Sequence, residues 1–164
     1  VRCVPMLPLT AGGTPDYLFT SGRANRCNPA GVDCVYFSED ERTARTEYGR
    51  RLGSASGALQ PLGTFFAEVE LARVIDLEDE PTRNALGLTA RDLTVRWQFA
   101  QKPTRTQLVG LAVSQQQAIA AIRFPSDAAR AAEFVGFNVA IFCECVRRPD
   151  FVRILGLTKK PLQK

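Results

Sequence analysis

Apolar positions recur at helical spacing in two long stretches of this chain and alternate or run together in several short ones. Ser38-Glu39-Asp40-Glu41 has the S-x-x-E spacing of a capping box, and Ala44, Tyr48 and Leu52 follow at i, i+4 and i+8. The pattern predicts a helix opening at Ser38 and ending near Leu52, with acids in its first turn and Arg50 and Arg51 in its last. Glu47, three residues after Ala44, borders the buried stripe. A second helix is predicted over Thr104–Ala121, with Gln107, Val109, Gly110, Val113 and Gln117 along one side. Gly110 costs this helix about 1 kcal/mol relative to Ala, which points to close packing against a neighbour. Glu78–Leu88 reads as a shorter helix ending at a Gly, and Thr89–Trp97 as a further short helix or turn.

The strand pattern is more fragmented. Val1–Leu9 holds a first strand at most, broken by two prolines, and Val32–Phe37 is a short apolar strand. Thr64–Leu77 alternates and reads as one or two strands, with Glu68 and Glu70 on one solvent-facing side. Ala120–Phe124 is a strand broken by Pro125-Ser126-Asp127, and Val139–Val146 and Phe151–Leu155 are the last two. Gly, Pro and Ser punctuate the rest: a turn cluster at Ala11–Asp16, an Arg-rich loop at Gly22–Gly31, and a connection at Gly53–Gly63. Strands and helices mix without βαβ regularity or repeat, so an α+β fold is expected, a strand-rich core of small sheets with flanking helices.

Composition narrows the chemistry more than the fold. At 164 residues, 45% apolar and 23% charged, the chain is expected to form one domain, 1–164, with a self-sufficient core. The net charge of +4 comes from 17 Arg and 4 Lys, a bias toward bidentate contacts with phosphate or carboxylate. Three of those lysines lie in the last six residues, and 158–164 is expected to be a frayed tail. Histidine is absent, which excludes Ser-His and Cys-His nucleophilic sites, imidazole acid/base chemistry and His-containing metal sites. Five cysteines with no C-x-x-C pair support neither zinc ligation nor a full disulfide set. Cys34, Cys143 and Cys145 are expected to be buried free thiols in apolar runs. No metal site is expected. The longest apolar stretch, Phe134–Phe142, is interrupted by Asn138 and is too short to span a bilayer. No secretory leader is visible, and a cytoplasmic setting is expected.

Candidate chemistry gathers between Gly22 and Leu52. An arginine-bearing loop, an aromatic at a strand end (Tyr36) and a half-buried helical carboxylate (Glu47) make a pocket for a phosphorylated, ring-bearing ligand. The same residues also read as a core tyrosine, a solvated helix charge and surface arginines. Ser126 at its strand end reads either as a pocket residue or as the N-cap of a helical turn over 127–133.

Arg26-Cys27-Asn28-Pro29-Ala30-Gly31, then Tyr36, then Glu47 resembles the G-G-R-[WF]-N-P-x-G … Y … E pattern of the RES domain family, named for an Arg, a Glu and a Ser. Arg123-Phe124-Pro125-Ser126 is similar to its hydrophobic-Pro-Ser segment. Trp97, the run Thr106-Gln107-Leu108-Val109-Gly110 and the early Arg2 also fall where the family has a Trp, a Gln-x-x-Gly and a first-strand Arg. The chain departs from the pattern at Asn25 and Cys27, which flank Arg26, and at Cys3, which stands where an aromatic is usual.

The resemblance implies a compact fold similar to the ADP-ribosyltransferase toxins, with NAD in a cleft between two small sheets. It implies an NAD-consuming toxin that splits the nicotinamide–ribose bond with water or phosphate as acceptor, as a glycohydrolase or phosphorylase. It further implies that Glu47, Ser126 and Arg2 are catalytic and that Arg26, Tyr36 and Arg23 bind the dinucleotide. The implied partner is an antitoxin carrying a DNA-binding domain, the protein's only link to nucleic acid, with no membrane association. Two alternatives stand beside this reading: transfer of ADP-ribose to a target protein, and a non-catalytic basic module that binds nucleic acid.

Overall fold

Two small sheets, sharing one layer of apolar side chains, carry the helices and turns that surround the site. The computed structural model describes residues 1–5, 22–52 and 62–155. The turn cluster at 11–16, most of the connection over 53–63 and the tail at 158–164 lie outside the described residues.

The first sheet is antiparallel, with β1 (Arg2–Pro5) beside β3 (Leu62–Glu70) and β3 beside β7 (Phe151–Leu155). The second has the order β2 (Cys34–Ser38), β6 (Phe137–Phe142), β5 (Ala121–Pro125), β4 (Val74–Asp76). Its only parallel pair is β4 with β5. Period-two alternation puts Val35, Phe37, Ala121 and Ile141 on one face, where they meet Val4, Phe65, Val152 and Ile154 of the first sheet. The other face presents Cys34, Ile122, Phe124, Ala140 and Phe142 to Cys27, Leu77, Leu88, Leu93 and Val113. With both faces covered, β5 and β6 read as near-continuous apolar runs, and Asn138 is the polar exception in β6.

Helix α1 spans Glu41–Leu52 and begins later than the capping-box pattern indicates. Asp40 caps it, its carboxylate accepting from the Thr43 backbone N–H at 2.7 Å and the Thr43 hydroxyl at 2.6 Å. Ser38 stays in β2 because its hydroxyl is used by Asn138. Thr43 and Ala44 are buried, Tyr48 is half-buried, and the Leu52 side chain falls outside the described residues. Gly136 lets the β6 entrance pass against Thr43, since a Cβ there would lie 2.3 Å from the threonine hydroxyl oxygen.

Asp79 caps α2 (Glu80–Ala85), and single 3-10 turns at Asp92–Thr94 and Trp97–Phe99 replace the further helix considered over 89–97. Helix α3 (Arg105–Gln116) has a complete capping box between Thr104 and Gln107 and stops at Gln117, whose φ of 54° is left-handed. Ser126 caps α4 (Asp127–Ala131). The strand expected to reach Val146 ends at Phe142, where Cys143–Cys145 form a 3-10 turn. All five cysteines are free; Cys34 and Cys145 are buried, while Cys143 is only half-buried on that turn. Among the described residues no helix is long and apolar enough to cross a membrane.

Candidate functional site

A cleft of about 650 Å³ opens where β1, β2 and α1 meet the 94–99 segment. Its lining includes Arg2, Arg26, Tyr36, Ser38, Glu47, Tyr48, Arg50, Arg96, Trp97, Phe99, Phe124 and Asn138. One wall is thus the polar end of the second sheet with α1, and another is the pair of 3-10 turns.

Among the described residues the carboxylate of Glu47 is held on one oxygen. The Ser126 hydroxyl and the Asn138 side-chain amide both donate to Oε1 at 2.7 Å. Each donor is itself fixed. The Ala129 backbone N–H donates to Ser126 Oγ at 3.0 Å, and the Ser38 hydroxyl donates to Asn138 Oδ1 at 2.7 Å. Ser38, Ser126 and Asn138 are buried, so each hydrogen bond holds its neighbour in place without competition from water. Strand register builds the group, because Asn138 of β6 lies opposite Ser38 of β2 on one side and Phe124 of β5 on the other. Both bonds fall on Oε1, and Oε2 makes none among the described residues.

The arginine loop is assembled just as tightly. The Tyr36 hydroxyl accepts from the Cys27 N–H at 2.9 Å and donates to Asn28 Oδ1 at 2.8 Å. The buried Asn28 amide then bonds the carbonyls of Arg23, Pro29 and Val32 at 2.8–3.2 Å. From the other side α3 clamps the loop: Gln107 Nε2 donates to the Asn25 carbonyl at 2.7 Å and Thr106 Oγ1 to the Arg26 carbonyl at 2.8 Å. Gly110 lies directly under the Cys27 carbonyl, where a Cβ would fall 1.6 Å from the oxygen. The Gln107-x-x-Gly110 spacing therefore serves the loop, and the close packing expected of Gly110 is met. Burial pushes the Tyr36 phenol well above its ordinary pKa and the Cys27 thiol up to about 12, so both stay protonated.

The sequence-derived candidates separate under this geometry. Glu47, Arg2, Arg26 and Tyr36 converge on the cleft. Ser126 does not line it: buried as the cap of α4, it reaches the site only through Glu47. One hydroxyl both caps α4 and donates to Glu47. Arg23 is exposed and outside the cleft lining, because the loop turns its backbone carbonyl inward to Asn28. Arg26 spends Nη1 on the Leu93 and Val95 carbonyls at 2.5 and 3.3 Å, bracing the 94–99 segment. Tyr36 is tied through its hydroxyl, and its ring meets Phe124 edge-on with centroids 6.3 Å apart.

Sequence reasoning passed over Asn138, Ser38 as a site residue, Asn28 and Arg96. Asn138 had a signal: a polar residue inside a run buried on both faces needs a partner. Arg96 had none beyond adjacency to Trp97.

The chain matches the RES domain family over residues 8–157 and belongs to it. That family is commonly NAD-related and tied to toxin–antitoxin pairs. Arg2 precedes the matched span, so its place rests on the cleft geometry. A search of curated proteins found no match. Among the described residues no group of three or more His, Cys, Asp or Glu is placed to hold a metal ion.

Proposed function

We propose that this cleft cleaves the nicotinamide–ribose bond of NAD, with water or phosphate as the acceptor. The observation that carries the proposal is Glu47, a cleft carboxylate with one oxygen held by Ser126 and Asn138 and the other without a partner among the described residues. Nicotinamide in NAD is already cationic, so it departs without a general acid, taking the bond's electron pair and leaving neutral. Positive charge then develops on the ribose. A fixed carboxylate stabilises it, with Oε2 accepting from a ribose hydroxyl. The acceptor oxygen bonds the ribose carbon, and a water acceptor releases one proton. Arg2 and the unbraced part of the Arg26 guanidinium face anionic groups of the substrate, and the Tyr36 ring walls the cleft. Membership in a family with toxin–antitoxin ties supports the further proposal that an antitoxin with a DNA-binding domain restrains the protein.

The test is release of nicotinamide from NAD by purified protein, with EDTA present throughout. Glu47→Gln keeps size and removes charge, and should lower the rate roughly a hundredfold to a thousandfold. Glu41→Gln, on the exposed side of the same helix and paired to Arg45 at 2.6 Å, should leave the rate unchanged. Turnover by Glu47→Gln at the parent rate would place the chemistry elsewhere.

A further inference from the structure

We infer that Arg96, Trp97 and Phe99 form a nucleoside-phosphate subsite, which takes the half of the substrate remote from the bond that breaks. The inference rests on the NAD reading above and extends it to the second half of the dinucleotide.

The wall over 94–99 is anchored at its Leu93 end. Leu93 is buried in the core, and the Arg26 guanidinium holds the carbonyls on either side of Thr94. Beyond that brace the chain makes one 3-10 turn, Trp97–Phe99, with no side-chain cap and no buried residue. Phe99 is 79% exposed although it lines the cleft, and Trp97 beside it is half-buried. Arg96 is exposed and lines the same cleft, and its guanidinium makes no hydrogen bond or ion pair to a described residue. Two of the other cleft cations differ: Arg50 pairs with Asp127 at 2.9 Å, and Arg26 gives its Nη1 to backbone carbonyls.

A braced turn holding one exposed and one half-buried aromatic ring beside an unpaired guanidinium matches one ligand chemistry. A base stacks on the rings, and its 5′-phosphate takes the guanidinium fork. The Glu47 network lies on another wall, so a dinucleotide has its two halves read by separate elements. The specificity consequence is that a mononucleotide lacking the second half reaches Glu47 but forfeits this binding.

Trp97 is the only tryptophan in the chain, so its fluorescence reports on this wall alone. Titration with AMP, which has no nicotinamide and no bond to split, should quench it saturably. Arg96→Ala and Phe99→Ala should each weaken AMP binding by at least about fivefold, with melting temperature unchanged because both side chains are exposed. In turnover, both variants should raise KM for NAD and leave nicotinamide mononucleotide cleavage as in the parent. AMP that leaves Trp97 emission unchanged, or binds parent and variants equally, overturns the subsite. AMP binding that falls in the variants supports it even where no NAD is split, an outcome that would sink only the hydrolytic reading.

Discussion

Replacing Gly110 by Ala pits two effects of opposite sign against each other. Removing a glycine from the interior of α3 favours the helix by about 0.8–1.0 kcal/mol. The new methyl would lie 1.6 Å from the Cys27 carbonyl oxygen, 2.8 Å from its carbon and 3.2 Å from the Phe142 ring. Backbone, unlike the end of a flexible side chain, has little room to give. Cys27 and Asn28 are buried, the Cys27 N–H is tied to Tyr36, and the Arg26 carbonyl to Thr106. Overpacking of this kind costs about 1–3 kcal/mol, and so rigid a neighbour calls for the upper end. The net loss is about 2 kcal/mol, a drop in Tm of about 4–8 °C at the size of this chain. Gly49→Ala in α1 is the control, since no described atom beyond its own helix backbone and chain neighbours lies within 4 Å of its would-be Cβ and the site is exposed. It should gain about 0.5–1 kcal/mol and raise Tm by about 1–4 °C. Thermal denaturation of both variants decides the matter, and nicotinamide release should fall with Gly110→Ala alone, because the displaced loop carries Arg26. If Gly110→Ala melts at or above the parent temperature, the loop does not sit on α3 as described.

Asn138→Ala should reduce kcat about tenfold or more while leaving KM for NAD within about twofold, because its amide acts through Glu47. In a Glu47→Gln background the same change should cost almost nothing further; additive losses would show that Asn138 works by another route. Tyr36→Phe keeps the ring but strands the Cys27 N–H and Asn28 Oδ1, and should cost about 1–3 kcal/mol by chemical denaturation. A Tyr36→Phe protein as stable as the parent would mean that the hydroxyl does not hold the loop. Burial alone would push the Asp150 carboxyl up, but the Ala72 N–H and the Arg73 guanidinium outweigh it and hold its pKa below the usual value of 3.8. Its contribution to stability is therefore present above that value and is lost as pH falls through the lower folded-state value. Asp150→Asn should cost about 1.5–3 kcal/mol near neutral pH and flatten the acid limb of stability against pH; an unchanged acid limb would refute the assignment.

Local pattern determined much of what the described residues show. The 3.6-residue period marked both long helices, with Thr104 at the start of α3, and alternation or short apolar runs marked the strands. These signals are local because each hydrogen bond or apolar stripe involves residues within about one turn or one strand of each other. The α1 start was misplaced by local pattern for the same reason. Ser38 satisfies a capping motif in sequence, yet Asn138, 100 residues away, takes its hydroxyl and leaves Asp40 as the cap. Glu47 and Tyr36 were legible as candidates because one borders an apolar stripe and the other lies in a short apolar strand, although Tyr36, expected at that strand's end, is the middle residue of β2. Their partners were not. Asn138 and Ser126 reach Glu47 across 91 and 79 residues, the Leu93 and Val95 carbonyls reach Arg26 across 67 and 69, and sequence spacing carries no record of such pairings. Only strand register and the packing of α3 on the loop decide them. Arg23 and Arg26 are equally basic in sequence, and the fold turns one to solvent and the other to brace a wall, because a side chain's direction depends on which backbone carbonyls around it already have donors.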